Sequence, residues 1–95
     1  MITHIVVLKL NDTSKDGIDE MKNRLLGMKG EIEYLQDITV GVDFMHAPIS
    51  YDIVMIAHFD SKEDLDAYIA HPVHVEVGRY IEEIQAKVVA IDFEL

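Results

Sequence analysis

Cysteine is absent from these 95 residues, so neither a disulfide nor a thiolate metal site can form, and a reducing compartment is permitted. Basic residues are scarce: eight Lys and Arg stand against 18 Asp and Glu, giving a formal net charge of −10. Such a surface repels phosphate backbones and anionic lipid, which argues against nucleic acid and membrane as partners. No apolar run approaches the roughly 20 residues that span a bilayer. The short apolar run within Met1 to Leu10 has no basic segment before it and no small-residue cleavage site after it. No secretory leader is therefore expected, and the cytoplasm is the default location. A glycine-rich phosphate loop, a nucleophilic serine elbow and an H-E-x-x-H motif are all missing, so nucleotide-dependent, covalent acyl and zinc chemistry have no support. Neither a cofactor nor a metal is expected.

What the chain does have is apolar residue: 49% of it is hydrophobic and its mean hydropathy is +0.12, which argues against disorder. Residues 1–95 read as a single domain. A chain this short buries only about two-thirds of its unfolded surface, so a partner subunit would help to stabilise it. His4 to Leu10 is rich in β-branched and aliphatic residues and predicts a strand. Thr13 or Ser14 can cap a helix on which Ile18, Met21, Leu25 and Met28 recur at helical spacing, with Gly27 and Gly30 near its stop. Strands are expected over Gln36 to Met45 and Tyr51 to Phe59, separated by a turn at His46 to Ser50. Ser61 is a good cap for a helix carrying Leu65, Tyr68 and Ile69 on one face. A last helix runs from Pro72 to about Lys87, and a last strand from Val88 to Leu95. The acidic clusters, Asp12 to Glu20, Glu31 to Asp37, Asp60 to Asp66 and Glu82–Glu83, read as solvated helix faces and turns. The order β-α-β-β-α-α-β predicts an α+β, ferredoxin-like domain: a four-stranded antiparallel sheet with helices on one face.

A sheet of that kind should alternate apolar and polar residues, because one face is wet. These strands do not. Tyr51, Ile53, Met55, Ala57 and Phe59 oppose Val54, Ile56 and His58, and Val6, Leu8 and Leu10 oppose Ile5 and Val7. Both faces must leave water, the helices cover only one, and too little chain remains to cover the other. A second copy packed sheet to sheet is the simplest cover, so a symmetric homodimer is expected, burying more than about 1,000 Å² in total.

The segment Tyr68-Ile69-Ala70-His71-Pro72-Val73-His74 carries the chemistry. Pro72 fits the first turn of a helix and disfavours helix at His71 before it, so His71 reads as the junction between two helices and a capping group. His74 then lies in the first turn of the second helix, where the helix dipole favours a neutral ring, and a neutral imidazole can act as a general base. Tyr68 shares an inward face with Leu65. His74 shares a face with Gly78, Ile81 and Gln85, and Gly78 leaves room for a ligand or for close helix packing. His4 would reach the same cavity if its strand face meets the helices. A metal at His71 and His74 is poorly served, because the helix break between them spoils a common face.

Taken together, "HIVVLKL", "FDSKEDLDAYIAHPVH" and "VVAIDFE" resemble the stress-responsive dimeric α/β-barrel (Dabb) family over His4 to Glu94. The resemblance implies a ferredoxin-like protomer whose sheet forms a barrel with that of a second copy. A similar plant polyketide cyclase closes a poly-β-keto chain by aldol condensation. By that likeness, His74 is the catalytic base, Tyr68 its assistant and His4 a pocket residue, while Ile53 stands where that enzyme has a further pocket histidine. The implied activity is cofactor-independent His/Tyr acid–base chemistry, of cyclase or lyase type, on a small carbonyl compound, with Ile53, Ile81, Gly78 and His4 bounding an apolar pocket. A non-catalytic small-molecule-binding or stress-assembly module remains the alternative.

Overall fold

A computed structural model describes all 95 residues, Met1–Leu95. The elements in chain order are β1 (Ile2–Lys9), α1 (Lys15–Leu26), β2 (Asp37–Val42), β3 (Ile53–Phe59), α2 (Lys62–Ala70), α3 (Pro72–Glu83) and β4 (Lys87–Glu94). This is the expected ferredoxin-like order, with strands arranged β2-β3-β1-β4 and every neighbouring pair antiparallel.

Local chemistry fixes the helix starts. The Ser14 hydroxyl accepts the Gly17 N–H at 3.2 Å and the Ser61 hydroxyl accepts the Asp64 N–H at 3.1 Å, so each satisfies one orphan donor of its first turn. His71 sits in extended backbone between α2 and α3, with Pro72 as the first residue of α3, and its Nδ1 accepts the Val73 N–H at 3.1 Å. Strands β1 and β3 start two residues from expectation, at Ile2 and Ile53, and two element ends differ by more. The second strand stops at Val42 rather than Met45, because the Asp43 carboxylate accepts the His46 N–H at 2.8 Å and His46 turns to φ 52°. The last helix stops at Glu83 rather than near Lys87, because Gln85 adopts φ 55° and reverses the chain into β4.

The core lies between the sheet and the helices. Ile53, Met55, Ala57 and Phe59 of β3 are buried, while the residues between them are half-buried. These four meet Met21 and Leu25 of α1, Leu65 and Tyr68 of α2, and Met28, Ile32 and Leu35 of the α1–β2 connection. Helix α3 adds Val73, Val77, Tyr80 and Ile81 at the margin, and Ile84 follows at its C-terminal cap. Its Tyr80 ring lies under the Arg24 guanidinium of α1 at 3.8 Å, a cation–π contact that ties the two helices.

The opposite sheet face carries no covering element. The register puts Ile5 beside Ile56 and Ile91, and Val7 beside Val54 and Val89, so these six form one apolar patch across three strands. None of the six is buried. Two shallow depressions, of about 280 and 190 Å³, lie on this side, the first reaching Phe44 of the β2–β3 loop and the second running between Ile5 and Ile91. His58 also points this way, where its Nδ1–H donates to Asp37 on the adjoining strand at 2.6 Å. No helix is long and apolar enough to cross a membrane.

Candidate functional site

The break at His71 turns the chain so that the start of α3 folds back on the end of α2. His74 thereby meets both Ile69 and Tyr68. Its Nδ1–H donates to the Ile69 carbonyl at 2.9 Å, and its ring centroid lies 4.6 Å from that of Tyr68. Donation from Nδ1 leaves Nε2 as the basic atom of a neutral ring. Burial disfavours the imidazolium and outweighs the Ile69 carbonyl, which favours it; His4 disfavours it further, so the net shift is below the ordinary histidine value. The sequence expectation ascribed a neutral His74 to the helix dipole. The structure assigns it first to desolvation.

Tyr68 has no exposed surface. Its hydroxyl donates to the Met28 sulfur at 3.8 Å, and its ring touches Phe59 at 4.8 Å as well as His74. Sulfur is a weak acceptor. Burial alone pushes the phenol far above its ordinary value, so Tyr68 stays a neutral donor. His4 lies on the helix-facing side of β1, 7% exposed, with its ring edge toward Tyr68 at 5.9 Å. The Nδ1–H of His4 donates to the carboxylate of Asp92, its cross-strand neighbour on β4. Three rings, His4, Tyr68 and His74, therefore form a continuous row.

Open space lies at either end of that row. A groove of about 280 Å³ runs along α3 between Ile69, His74, Val75, Gly78, Arg79 and Glu82. A Cβ added at Gly78 would meet nothing within 4 Å, so the glycine widens the groove and is not required by helix packing. A larger cavity of about 430 Å³ lies where the start of α2 meets the end of β4, with Leu65 and Ile2 at its floor and Lys62, Asp66, Asp92 and Glu94 around it.

The expected site residues thus separate into two sets. Tyr68, His74 and His4 are brought together, and Gly78 borders His74. Ile53 is 2% exposed in the core, and half-buried Ile81 packs at the core margin; neither borders the groove. The expected apolar hollow shared by Tyr68 and His74 is replaced by direct contact between the rings, and the groove that His74 does line has a charged rim, Arg79 and Glu82. Sequence reasoning missed Asp92, Met28 and Arg79. An acid inside the apolar run Val88 to Phe93 is the one signal that pointed to Asp92. No three His, Asp or Glu side chains converge in a way that could hold a metal.

A four-stranded antiparallel sheet with three helices on one face and a buried Tyr/His row defines a protein of the ferredoxin-like α+β class. The chain belongs to the Dabb family, described as the Stress responsive A/B Barrel Domain, whose profile matches residues 2–95. It is 34% identical over 105 residues to the Stress-response A/B barrel domain-containing protein DABB1 of Arabidopsis thaliana. That match covers 98% of this chain but 46% of the relative, so the chain spans about half of that protein's length. A dimeric ferredoxin-like protein of unknown function from Thermobifida fusca superposes with a TM-score of 0.84 at 29% identity, covering 99% of this chain and 90% of that one. The Arabidopsis thaliana protein At3g17210 superposes at 0.85 with 26% identity, covering 100% and 95%.

Proposed function

We propose that the chain works as a homodimer closed through the uncovered sheet faces, and that each protomer carries a cofactor-independent acid–base site for a small carbonyl compound. The uncovered patch around Ile5, Ile56 and Ile91 supports the first half, as does the dimeric state of similar ferredoxin-like proteins. One observation carries the second: His74 is a half-buried imidazole, held by Ile69 at Nδ1 and lining an accessible groove, and its burial favours the neutral ring.

The reaction class this fits is aldol-type cyclisation or its reverse. Nε2 of His74 removes a proton α to a carbonyl, and the C–H electrons pass to the carbonyl oxygen as an enolate. The enolate carbon attacks a second carbonyl, forming the C–C bond, and the resulting alkoxide takes back the proton from His74. A positioned base contributes typically about 10²–10⁴-fold. Arg79, ion-paired with Glu76 along α3, stands on the groove wall, where oxyanion character develops. Tyr68 backs the His74 ring and keeps water from that face; with its hydroxyl on Met28 it supports the base and does not touch the substrate.

A second reading, a non-catalytic small-molecule-binding or assembly module, is favoured by the same turn of the Tyr68 hydroxyl away from the groove. A thermal-shift panel of small aromatic and keto compounds, with turnover assays on every binder, separates the two. Turnover that disappears in His74→Ala, with the dimer intact, supports the base assignment; undiminished turnover in that variant excludes it. Binding without turnover favours the module, and no binding at all favours assembly.

A further inference from the structure

Asp92 occupies an unusual place. Aspartate is disfavoured in strands, yet it stands in β4 next to Ile91 and Phe93, on the sheet side that faces the helices. There its carboxylate accepts the proton of a histidine 88 positions away, closing the first strand onto the last. A nearly buried imidazole needs a partner for its N–H, and that partner also selects which nitrogen keeps the proton. We propose that Asp92 is a positioning residue for the Tyr68–His74 pair: it fixes His4 as the Nδ1–H tautomer, edge-on to Tyr68, and so holds the phenol against His74.

The arrangement has the geometry this requires. His4 meets Tyr68 edge to face at 68° between planes, and Tyr68 meets His74 at 57°. Neither contact is a hydrogen bond, so the row is held by ring packing and depends on each ring keeping its orientation. The Asp92 side chain is half-exposed in the wall of the 430 Å³ cavity, whereas His74 lines the other opening. The ionisable groups facing His4 are Asp92 from β4, Tyr68 from α2 and His74 from α3. Those around Asp92 in the cavity are Lys62 and Asp66 of α2 and Glu94 of β4. Around His74 they are Tyr68, His4, Arg79 and Glu82. If Asp92 releases His4, the row loosens, water reaches the face of His74 that Tyr68 covers, and the desolvation that favours its neutral ring relaxes.

The inference rests on His74 as the functional base, but its test is read on ring nitrogens and does not depend on turnover. Nitrogen-15 NMR of the imidazoles in the full chain is followed through a pH titration. The native protein is expected to show the neutral His4 ring as the Nδ1–H tautomer alone; an Nε2–H tautomer there overturns the proposal before any variant is made. Asp92→Ala is expected to give a mixture of His4 tautomers and to move the His74 midpoint upward. Asp92→Asn, which keeps an acceptor oxygen, is expected to restore the single tautomer and the native midpoint. Asp66→Ala, in the same cavity wall but without a bond to His4, leaves both signals unchanged. A mixed His4 with an unmoved His74 reduces Asp92 to a structural cap and refutes the positioning role, as does an unmoved His4.

Discussion

Replacing Ile91 with aspartate tests the proposed sheet-to-sheet dimer on its uncovered apolar face. Ile91 is 59% exposed in the protomer and sits directly across from Ile5 on the uncovered face. Burying an isoleucine side chain completely is worth about 1.5–3 kcal/mol. The exposed share that a partner would cover is therefore worth about 1–2 kcal/mol. A two-fold axis repeats the contact, so the loss is about 2–4 kcal/mol per dimer. At 1.4 kcal/mol per decade that alone raises the dimer Kd by about 30- to 700-fold. A carboxylate brought into an apolar interface adds several kcal/mol more on each side. Ile91→Asp is accordingly expected to sediment as a monomer at micromolar concentration while its far-UV circular dichroism keeps the native helix and strand signals. The reasoning on two apolar faces is refuted if this variant remains dimeric with a Kd within about threefold of the native value, for the interface then lies elsewhere.

Tyr68→Phe should change stability by less than about 1 kcal/mol in urea titration, because the lost O–H has only a thioether acceptor, whereas Tyr68→Ala should cost about 3–5 kcal/mol by emptying a fully buried ring site. Gly78→Ala should raise the thermal midpoint by roughly 2–8 °C, since the added methyl meets nothing and the unfolded chain loses freedom, while weakening any ligand seated beside His74. Because the folded value of His74 is depressed, the unfolded chain binds its proton more readily. The corresponding stability is present above the ordinary histidine value near 6.5 and is lost as pH falls through the folded value. Urea midpoints at fixed protein concentration should thus fall more steeply between pH 7.5 and 5 for the native chain than for His74→Gln; equal slopes would contradict the assignment.

Much of the fold was legible because its signals are local. Ser14, Ser61 and Pro72 act within their own turn, and β3 is apolar on both of its faces, so helix starts and the two-sided sheet follow from local pattern alone. The ends of β2 and α3 were not legible, since His46 and Gln85 reverse the chain in left-handed backbone without a glycine to announce it. For the candidate site, the helix break at His71–Pro72 was enough to bring Tyr68 and His74 together. Their partners were not: Asp92 reaches His4 only through the β1–β4 register, and Met28 reaches Tyr68 across 40 positions. Ile81 and Ile53 illustrate the converse, for a shared helical face or a homologous position does not say whether a side chain borders a groove or the core. His58 likewise could be assigned to a face only once β3 had neighbours.

Strand β4 is where assembly and site converge. It is the least buried strand, with every residue but Phe93 exposed, and it sits at the sheet edge paired only to β1. Ile91 points to the uncovered face and Asp92 to the helix side, so one strand carries both the proposed interface and the anchor of His4. In a lone protomer little but the β1 hydrogen bonds would retain it, and an edge strand with so little apolar cover should open at a free energy well below that of global unfolding. A partner sheet would cover Val89 and Ile91 and raise that opening energy by the same contacts that stabilise the dimer. Hydrogen exchange should therefore show the β4 amides losing protection in Ile91→Asp while β3 amides keep theirs. The His4 imidazole should then lose its single tautomer even though position 92 is untouched. If β4 exchanges as slowly in the monomer as in the dimer, the strand is held within the protomer, and the site does not depend on assembly.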